Sequence, residues 1–436
     1  MKVCVVGLGY LGATHAIAMS KLGHHVIGID TDLAKVDSLK AGKVTFHEPG
    51  LQDALLESLR NGSAVFQTGF DLTVRPEITF ICVGTPQSPI HGSANTSFVM
   101  SAGESLARGM AVDEVIVGKS TVPVGTATLL REQMSAIAGF PVHLAWNPEF
   151  LREGTALEDS LNPDRIVIGS WDEYSSQKLK QIYRPIIDKG TPLIEVDVPT
   201  AELVKVAANA FLATKVSFIN AMAEVAEASG ADAVELAKAI GYDDRIGSKF
   251  LRTGIGFGGG CLPKDIRGFV ARAEELGAGE AVSFLKDVDA INQRRRVRVV
   301  TLAEQELGEL KNKKILVLGL TFKPDSDDMR DSPALDIALR LASAGAQVTV
   351  HDPVALSALG DKHEELIREQ DLALAAQNQA LVILGTEWAE YKSINPAEIG
   401  ELVSNKLIID GRNVLDVEAW QAAGWRLIAL GRNVHN

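Results

Sequence analysis

A glycine-rich turn near the start of the chain constrains the fold more than any other feature. The residues from Gly7 to Gly12 read Gly-Leu-Gly-Tyr-Leu-Gly, and they lie between an apolar run, Lys2–Val6, and a helical pattern over 12–22. In such a strand–turn–helix, the first glycine allows the tight turn, the second lets the backbone approach a pyrophosphate, and the third lets the helix pack closely on the strand. The phosphate is then expected at the N-terminus of the helix.

An acidic residue completes this pattern. Asp30 follows the next predicted strand, His25–Ile29, about 20 residues beyond the glycines, where a carboxylate accepts hydrogen bonds from the ribose hydroxyls of NAD and repels the additional phosphate of NADP. A glycine-rich turn with no nucleotide to bind would not explain an acid at this position. The sequence therefore predicts a site for NAD, formed by Gly7, Gly9, Tyr10, Leu11, Gly12 and Asp30.

Short apolar strands alternate with helical patterns in the first part of the chain and again near its end. Strands are predicted at 2–6, 25–29, 78–83, 114–119 and 143–145, and then at 314–318, 347–350, 380–384 and 406–409. Such alternation is typical of parallel sheets covered by helices on both faces. The second series has no glycine fingerprint after its first strand, so the two parts are expected to bind different ligands. The predicted fold class is α/β, with two doubly wound, Rossmann-like domains at 1–199 and 301–436.

A long helix is predicted between these two parts. From Thr200 to Ser229 the sequence contains no glycine or proline, Thr200 is a candidate N-cap, and Gly230 is a candidate stop. Apolar residues cover most of the circumference, which indicates a buried helix. We expect this long central helix to join the two domains, to belong to a helical middle domain at 200–300, and to contribute to a subunit interface.

Charge and cysteine content exclude several classes of protein. The 436 residues carry a formal net charge of −13, and an acidic chain repels the phosphate backbone of nucleic acids. An odd count of three cysteines argues against a disulfide framework and for a reducing compartment. The sequence shows neither a signal peptide nor an uninterrupted apolar run of 18 residues. We therefore expect a cytoplasmic protein without nucleic-acid, membrane or metal partners.

The segment from Gly254 to Asp265 contains a candidate nucleophile. Five glycines in seven residues precede Cys261, which is followed by Leu, Pro, Lys264 and Asp265. A lone cysteine is more often a small buried apolar residue, and Cys4 and Cys82, inside apolar strands, are interpreted in that way. A glycine loop whose backbone can wrap a ligand, with a cation nearby to favour the thiolate, reverses this interpretation for Cys261.

Three other clusters also have plausible structural explanations. Lys205 and Asn209 lie one turn apart on the long helix, either as a solvated lysine and a surface asparagine or as a pair of donors to a developing oxyanion. Glu149 and Glu153, in Asn-Pro-Glu-Phe-Leu-Arg-Glu-Gly, are either the solvated start of a helix or a base and a cofactor contact. Small hydroxyl residues at the ends of strands, such as Thr85 and Thr121, are either strand-ending turns or part of a ligand crevice.

Taken together, these segments resemble the UDP-glucose/GDP-mannose dehydrogenase family. The resemblance runs through nearly the whole chain and rests on motifs in one order: GLGYLG at Gly7, GTP at Gly84, STVPVGT at Ser120, NPEFLREG at Asn147, the helix with Lys205 and Asn209, GFGGGCLPKD at Gly256, LTFKPDSDDMRDSP at Leu320 and DGRN at Asp410. Arg245-Ile246-Gly247, followed by Phe250-Leu251, resembles the members of the family that act on UDP-glucose.

The resemblance implies a four-electron oxidation of a sugar alcohol to a carboxylate by NAD. The C6 alcohol is first oxidised to an aldehyde, a cysteine attacks it to give a thiohemiacetal, a second oxidation gives a thioester, and water releases the acid. A thiol is needed because a covalent adduct offers a second hydride, donors are needed for the oxyanions, and a carboxylate is needed as base. The resemblance also implies a UDP-sugar substrate, a UDP-sugar-binding domain at 301–436 and a homodimer.

Residue roles are transferred by position within the matching motifs. The catalytic set is Cys261 as nucleophile, Glu149 as acid/base, Lys205 and Asn209 as oxyanion donors, and Thr121 and Asp265 around the hydrolytic water. The further cofactor contacts are Lys35, Thr85, Thr121, Glu153, Lys264 and Arg330. The substrate contacts are Glu149, Phe150, Leu151, Arg152, Lys205, Asn209, Arg245, Phe250, Arg252, Phe257, Gly258, Phe322, Lys323 and Arg412, of which Arg245 is expected to cross the dimer interface. Gly260 departs from the family, where serine often precedes the cysteine, and this glycine is expected to loosen the turn.

Three alternatives remain at this stage. The same chemistry on UDP-N-acetyl-mannosamine or GDP-mannose would use similar residues. A two-electron hydroxy-acid dehydrogenase would share the first domain but would not require the cysteine loop or the second domain. A nucleotide or NAD sensor would retain the folds without turnover.

Overall fold

The computed structural model describes residues 1–69, 75–88 and 92–433. The chain forms two compact units. The first comprises Met1–Ala208 with Arg267–Gly279, and the second comprises Asn209–Ile266 with Glu280–Asn436. The predicted three-domain division at 1–199, 200–300 and 301–436 remains a prediction.

The first unit is built on an eight-stranded sheet with the strand order β3-β2-β1-β4-β5-β6-β7-β8. Neighbouring strands are parallel except β6 and β7, which are antiparallel. The apolar runs form these strands because buried strands of a parallel sheet are covered on both faces. The strands are β1 (Lys2–Val6), β2 (His25–Ile29), β3 (Ala64–Gln67), β4 (Ile78–Ile81), β5 (Val115–Gly118), β6 (His143–Trp146), β7 (Ile166–Ser170) and β8 (Leu193–Val196).

Helices cover both faces of this sheet, as a doubly wound domain requires. Two separate apolar clusters form, one on each face, because side chains of successive strand residues point to opposite sides. The prediction of a doubly wound sheet is therefore confirmed. The helices are α1 (Tyr10–Lys21), α2 (Leu33–Lys40), α3 (Leu51–Arg60), α4 (Ser97–Ala107), α5 (Thr126–Ala138), α6 (Ala156–Leu161) and α7 (Glu173–Ile187).

The predicted long helix is α8 (Val198–Ser229), which begins two residues earlier than the sequence suggests. Thr200 is not its cap. Asp197 accepts a hydrogen bond from the Thr200 backbone N–H at 2.7 Å, so the carboxylate before the helix satisfies its first turn. Glu202 instead caps α5, because its two carboxylate oxygens accept the N–H groups of Gly125 and Ala127, each at 2.8 Å.

Within the single chain, α8 is not buried around its whole circumference. Phe211, Phe218 and Val225 are 67%, 50% and 58% exposed and recur every seven residues, so they form one stripe along the helix. By length and composition alone α8 would pass as a membrane span. Core helices of water-soluble proteins pass the same test, so this is weak evidence.

The second unit contains the remaining helices and a six-stranded parallel sheet ordered β11-β10-β9-β12-β13-β14. Its strands are β9 (Lys314–Leu318), β10 (Gln347–His351), β11 (Ile367–Arg368), β12 (Leu381–Leu384), β13 (Leu407–Asp410) and β14 (Arg426–Ala429). Its helices are α9 (Ala233–Gly241), α10 (Leu262–Glu275, which continues into the first unit), α11 (Phe284–Leu307), α12 (Pro333–Ser343), α13 (Leu372–Ala376), α14 (Ala389–Lys392), α15 (Pro396–Gly400) and α16 (Val417–Ala422).

The two sheets begin with the same turn. The Gly7 N–H donates to Ile29 O at 2.8 Å, and the Gly319 N–H donates to His351 O at 2.8 Å. In each unit an aspartate at the end of the second strand then accepts the next backbone N–H at 2.7 Å, Leu8 to Asp30 and Leu320 to Asp352. The two sheets therefore share strand order and local hydrogen bonding, which confirms the prediction of two Rossmann-like domains.

Candidate active site

The glycine turn has the geometry that a dinucleotide requires. Gly7 has φ +91°, and a Cβ there would lie 2.9 Å from the Val83 Cα. A Cβ on Gly12 would lie 1.7 Å from the Gly7 carbonyl oxygen, so α1 packs directly on the turn. A Cβ on Gly9 would meet nothing within 4 Å. Gly7 and Gly12 are therefore required by the fold, whereas the absence of a side chain at Gly9 leaves space beside the backbone.

The N-terminus of α1 provides donors for an anion. Gly9 is its N-cap and supplies no side-chain acceptor, so the first N–H groups of the helix, including those of Tyr10 and Leu11, lack a side-chain cap. Together with the helix dipole, such groups bind a pyrophosphate. These residues fit NAD.

Asp30 lies where the ribose hydroxyls are expected. Its carboxylate accepts the Leu8 N–H at 2.7 Å and the Asp32 N–H at 2.9 Å. The ammonium of Lys35 lies 3.9 Å from Asp30 and 3.6 Å from Asp32. The predicted contacts Asp30 and Lys35 therefore lie together beside the turn.

Thr85 and Thr121 also lie together, after β4 and β5. The Thr85 hydroxyl donates to the Thr121 carbonyl at 2.8 Å, and the Ser120 hydroxyl donates to Val83 O at 2.7 Å. These bonds tie the carboxyl ends of the neighbouring strands β4 and β5. β4 also borders β1, and the strand order reverses between those two strands, which is where doubly wound sheets bind ligands. The Thr85 and Ser120 hydroxyls thus support the turns that follow β4 and β5. These turns lie at the carboxyl ends of the strands, where the ligand crevice is expected.

The predicted base and one predicted oxyanion donor form an ion pair. The Lys205 ammonium lies 3.0 Å from Glu149, with side chains 5% and 11% exposed. The other Glu149 oxygen accepts the Leu151 N–H at 2.6 Å. Phe150 lies between two cations, its ring centroid 5.8 Å from Lys205 Nζ and 3.7 Å from Arg165 Cζ. Burial makes this pair strong and fixes the carboxylate in one position.

A buried lysine supports this loop, and no sequence motif marks it. Lys119 donates to Asn147 Oδ1 at 2.8 Å and to the Tyr183 hydroxyl at 3.3 Å, and Tyr183 also donates to Asn147 at 2.6 Å. Asn147 begins the loop that carries Glu149. Burial lowers the pKa of Lys119 to about 8. The one sequence feature that indicates a special role for Lys119 is its position directly after an apolar strand.

Two further residues of this loop have different surroundings. Arg152 donates from its backbone N–H at 2.8 Å and from Nε at 3.0 Å to Asp159 in α6, so the predicted substrate contact also closes the loop. Glu153 lies close enough to contribute to a raised pKa of Tyr10, whose main cause is burial.

The glycine loop before Cys261 is held by a buried asparagine. Asn292 in α11 is 1% exposed. It accepts the Phe257 N–H at 2.8 Å and donates to the Phe257 carbonyl at 2.9 Å. Arg296 donates to the same carbonyl at 3.2 Å. A Cβ on Gly258 would lie 2.4 Å from the Asp331 carbonyl oxygen. The loop is therefore fixed by its backbone, which a sequence pattern does not reveal.

Cys261 is the exposed cysteine of the three. It directly precedes α10, and its carbonyl accepts the Asp265 N–H at 2.9 Å, so the thiol lies at a helix N-terminus, which favours a thiolate. Asp265 accepts Asn209 Nδ2 at 2.6 Å, and the Lys264 ammonium lies 2.9 Å from it. The second unit thus brings Cys261, Asn209, Lys264 and Asp265 together.

The other two cysteines are buried, as predicted. Burial raises the pKa of the Cys4 thiol well above its usual range and that of Cys82 to about 12. Neither thiol ionises near neutral pH, so they remain inert.

Gly260 makes room for the side chain of an arginine. A Cβ there would lie 2.3 Å from the Arg330 Cζ. Arg330 is held by Asp328 at 2.7 Å, and Asp328 also accepts the Gly260 N–H at 3.2 Å. The Gly259 N–H donates to the Arg330 carbonyl at 2.8 Å. Asp328 and the Arg330 carbonyl therefore hold the turn by hydrogen bonds, and the loosening by Gly260 stays a prediction.

The predicted contacts to the UDP end gather around Arg412. Its guanidinium donates to the carbonyls of Gly385, Gly256 and Phe322 at 2.7, 3.1 and 3.1 Å. The Phe322 ring packs on Gly259, where a Cβ would lie 2.9 Å from it. The Lys323 ammonium lies 5.5 Å from the Phe322 ring centroid. Arg412 thus joins the glycine loop to the strand ends of the second sheet.

The remaining predicted substrate contacts lie on an exposed segment. The Arg245 side chain is 89% exposed and pairs with Asp243 at 2.6 Å. Phe250 has φ +63° and is 39% exposed, and Arg252 is also exposed. Within the described residues no cluster of three His, Cys, Asp or Glu side chains could hold a metal ion.

Family models cover most of the chain. The NAD binding domain of the UDP-glucose/GDP-mannose dehydrogenase family matches residues 1–187, the central domain matches 199–294, and the UDP binding domain matches 316–417.

Full-length relatives agree with these matches. UDP-glucose 6-dehydrogenase YwqF of Bacillus subtilis is 38% identical over 99% of this chain and 98% of that protein. UDP-glucose 6-dehydrogenase of Rhizobium meliloti is 37% identical over 99% of this chain and 100% of its own. Among solved structures, a UDP-glucose dehydrogenase from Pyrobaculum islandicum superposes with a TM-score of 0.88 at 36% identity, covering 99% of this chain and 97% of its own.

Proposed function

Because the chain belongs to the UDP-glucose/GDP-mannose dehydrogenase family, we propose that it oxidises the C6 alcohol of UDP-glucose to the carboxylate, giving UDP-glucuronate. The family's NAD-binding and UDP-binding domains are both present, so the cofactor is NAD and the substrate is a UDP-sugar. When bound, NAD accepts the hydride at each of the two oxidations. One sugar, two NAD and one water thus give the carboxylate, two NADH and three protons.

The observation that carries the proposal is the exposed Cys261 at the start of α10. Attack of its thiolate on the C6 aldehyde forms the C–S bond of a thiohemiacetal and places negative charge on the aldehyde oxygen. Asn209 and Lys205 are the candidate donors to that oxygen. An ammonium has three protons, so Lys205 can donate to substrate while it pairs with Glu149.

Hydrolysis of the resulting thioester requires a base. Glu149 is the candidate, because Lys205 and the Leu151 N–H hold its carboxylate in place. Water then adds to the thioester carbon, the C–S bond breaks, and Cys261 regains a proton. Asp265 and Thr121 are the candidates that orient this water, and Asp265 is itself held by Asn209.

The test is the number of NADH formed per sugar consumed. The wild-type protein is expected to form two, and a count of one would refute the four-electron reaction. Cys261→Ser is expected to stop after the first oxidation, and a wild-type rate of acid formation in this variant would refute the covalent step. Cys4→Ala removes a thiol that is 2% exposed and serves as the control. If the wild-type protein binds NAD and UDP-glucose but never turns over, the sensor alternative is correct.

The identity of the sugar requires a separate test. UDP-N-acetyl-mannosamine is the alternative favoured by structure, because a UDP-D-ManNAc dehydrogenase from Pyrococcus horikoshii superposes with a TM-score of 0.87, although at 25% identity. The test compares kcat/KM for UDP-glucose, UDP-N-acetyl-mannosamine and GDP-mannose, with each reaction followed by NADH absorbance. The highest value is expected for UDP-glucose, and a higher value for another sugar would replace that assignment.

The exposed stripe on α8 supports a homodimer. Phe211, Phe218 and Val225 repeat every seven residues, the spacing at which one helix face packs against a partner helix. Phe218→Asp is expected to shift the mass measured by light scattering from dimer to monomer, whereas a variant that stays dimeric would place the interface elsewhere. In a dimer the exposed Arg245 is the candidate to reach the partner's site.

The chemistry also supports a reducing compartment. Cys261 must remain a free thiol, so we propose that the protein is cytoplasmic. Fractionation of cells that express it tests this proposal, and recovery outside the cytoplasmic fraction would refute it.

A further inference from the structure

A buried glutamate outside the predicted site connects two segments that flank the cofactor turn. Glu48 lies in the connection between α2 and α3 and is 6% exposed. Its Oε2 accepts the Tyr10 hydroxyl and the Gly154 N–H, the latter at 2.7 Å. Its Oε1 accepts the Ala156 N–H at 2.7 Å and the Leu157 N–H at 3.4 Å. All of these residues belong to the first unit.

The partners of Glu48 come from the two sides of the cofactor site. Tyr10 lies between the second and third glycines of the turn and is the first residue of α1. Gly154 follows Glu153, a predicted cofactor contact, and Ala156 begins α6. The Gly154 N–H also lies 3.2 Å from the Tyr10 hydroxyl. A single carboxylate therefore sets the distance between the glycine turn and the segment that carries Glu153.

These contacts require a carboxylate, because both of its oxygens accept hydrogen bonds. Hydrogen bonds from N–H or O–H to a carboxylate are shorter and stronger than those between neutral groups. An amide in the same place would have one oxygen and one NH₂, and the NH₂ would face a donor instead of accepting from it. The loop from 152 to 156 would then shift away from Tyr10.

We propose that Glu48 is a positioning residue for NAD binding, acting through Tyr10 and through the backbone of the segment that carries Glu153. This inference rests on the proposed function only in taking NAD as the cofactor. The hydrogen-bond partners of Glu48 are the Tyr10 hydroxyl and three backbone N–H groups within residues 154–157, and none of these four residues is a predicted contact to the sugar. Loss of Glu48 is therefore expected to weaken binding of the cofactor without weakening binding of the UDP-sugar.

Glu48→Gln tests the inference, with binding measured without turnover. The dissociation constant for NADH, from its fluorescence on titration with protein, is expected to rise about ten- to hundredfold, in line with loss of hydrogen bonds to a charged group. KM for NAD rises in parallel, while KM for UDP-glucose stays within about twofold. An NADH affinity within twofold of wild type would overturn the inference.

A matched control separates positioning from a general loss of stability. Glu114 is 5% exposed in the same unit, precedes β5 and accepts the Thr79 hydroxyl at 2.6 Å. Glu114→Gln therefore perturbs a buried glutamate at the opposite edge of the sheet. It is expected to leave the affinity for NADH unchanged, and its melting temperature is measured beside that of Glu48→Gln. An equal loss of NADH affinity in both variants would overturn the inference.

Tyr10→Phe keeps the test decisive should Glu48→Gln fail to fold. It removes only the hydroxyl that donates to Glu48, and NADH affinity is expected to fall about three- to tenfold. Where both variants fold, the double variant is expected to lose less than the sum of the two single losses, because both break the same contact. Strict additivity would overturn the link through Tyr10. A wild-type protein that binds no NADH would instead refute the proposed cofactor.

Discussion

Replacing Asn292 by alanine should loosen the glycine loop that precedes Cys261. Asn292→Ala removes the acceptor of the Phe257 N–H and one of two donors to the Phe257 carbonyl. The Phe257 carbonyl still accepts from Arg296 at 3.2 Å, so loss of the hydrogen bond from Asn292 to this carbonyl costs about 0.5–1.5 kcal/mol. The Phe257 N–H is left buried without a partner, which costs about 1–3 kcal/mol. The expected destabilisation of the loop is therefore about 1.5–4.5 kcal/mol.

Amide hydrogen exchange measures this change locally. The Ile255 N–H donates to the Gly411 carbonyl at 3.0 Å, and the Gly259 N–H donates to the Arg330 carbonyl at 2.8 Å. If these amides exchange through opening of the loop, the variant exchanges them about ten- to a thousandfold faster, since each 1.4 kcal/mol is a factor of ten. We also expect kcat to fall, because Cys261 follows the same loop.

Gln293→Ala is the matched control, since it removes an amide from the neighbouring, half-buried position of α11. It should leave exchange of Ile255 and Gly259 within about threefold of wild type. Should Asn292→Ala leave their exchange equally unchanged, the buried asparagine does not hold the loop and the reasoning fails.

Three further predictions concern the cofactor turn, a buried lysine and the turn before the cysteine. Gly9→Ala is expected to keep the wild-type melting temperature, because its Cβ meets nothing within 4 Å, while NADH affinity falls at least about tenfold as the methyl group blocks the pyrophosphate; equal NADH affinity would refute this. Lys119 has its pKa lowered by burial to about 8, so the unfolded chain binds the extra proton above that pH and stability rises with pH from about 8 toward the ordinary lysine value. The melting temperature of wild type relative to Lys119→Met should therefore rise over that window, and a constant difference would contradict it. Gly260→Ser should change the free energy of unfolding by less than about 1 kcal/mol, because the Arg330 side chain is 65% exposed and can move; a larger loss in urea unfolding would show that Arg330 is fixed.

The parts of the fold that the sequence predicts are those with a short, local signal. The turn at Gly7, the strands on either side of it and the exposed Cys261 each depend on residues adjacent in the chain. A glycine pattern indicates positions where the backbone has no room for a side chain. A cysteine that follows a glycine loop indicates a thiol that a ligand can reach. Both can therefore be recognised without knowing the distant neighbours.

The residues that the sequence does not reveal act through distant backbone. Glu48 bonds to Gly154, more than a hundred residues away, and Asn292 bonds to Phe257, with the whole of α10 between them in the chain. A backbone N–H is the same in every residue, so its partner leaves no pattern in the sequence. The cap of α8 was missed for a simpler reason, since Asp197 and Thr200 are both good capping residues.

The exposed stripe on α8 has a related explanation. Periodicity distinguishes apolar from polar faces, but it does not distinguish a face covered by the same chain from one left open. The exposure of Phe211 and Phe218 is therefore visible in the structure and not in the sequence pattern.

The carboxylate of Asp30 limits how easily this protein could acquire a different cofactor. An acid at this position discriminates against NADP, so a change of preference would begin by replacing it. Here the same carboxylate accepts the Leu8 N–H that holds the glycine turn closed. Its counterpart in the second unit is Asp352, which is 3% exposed and accepts four backbone N–H groups. These contacts show that an aspartate at this position stabilises the turn. Evolution toward NADP would therefore have to repair the turn as well as remove the charge.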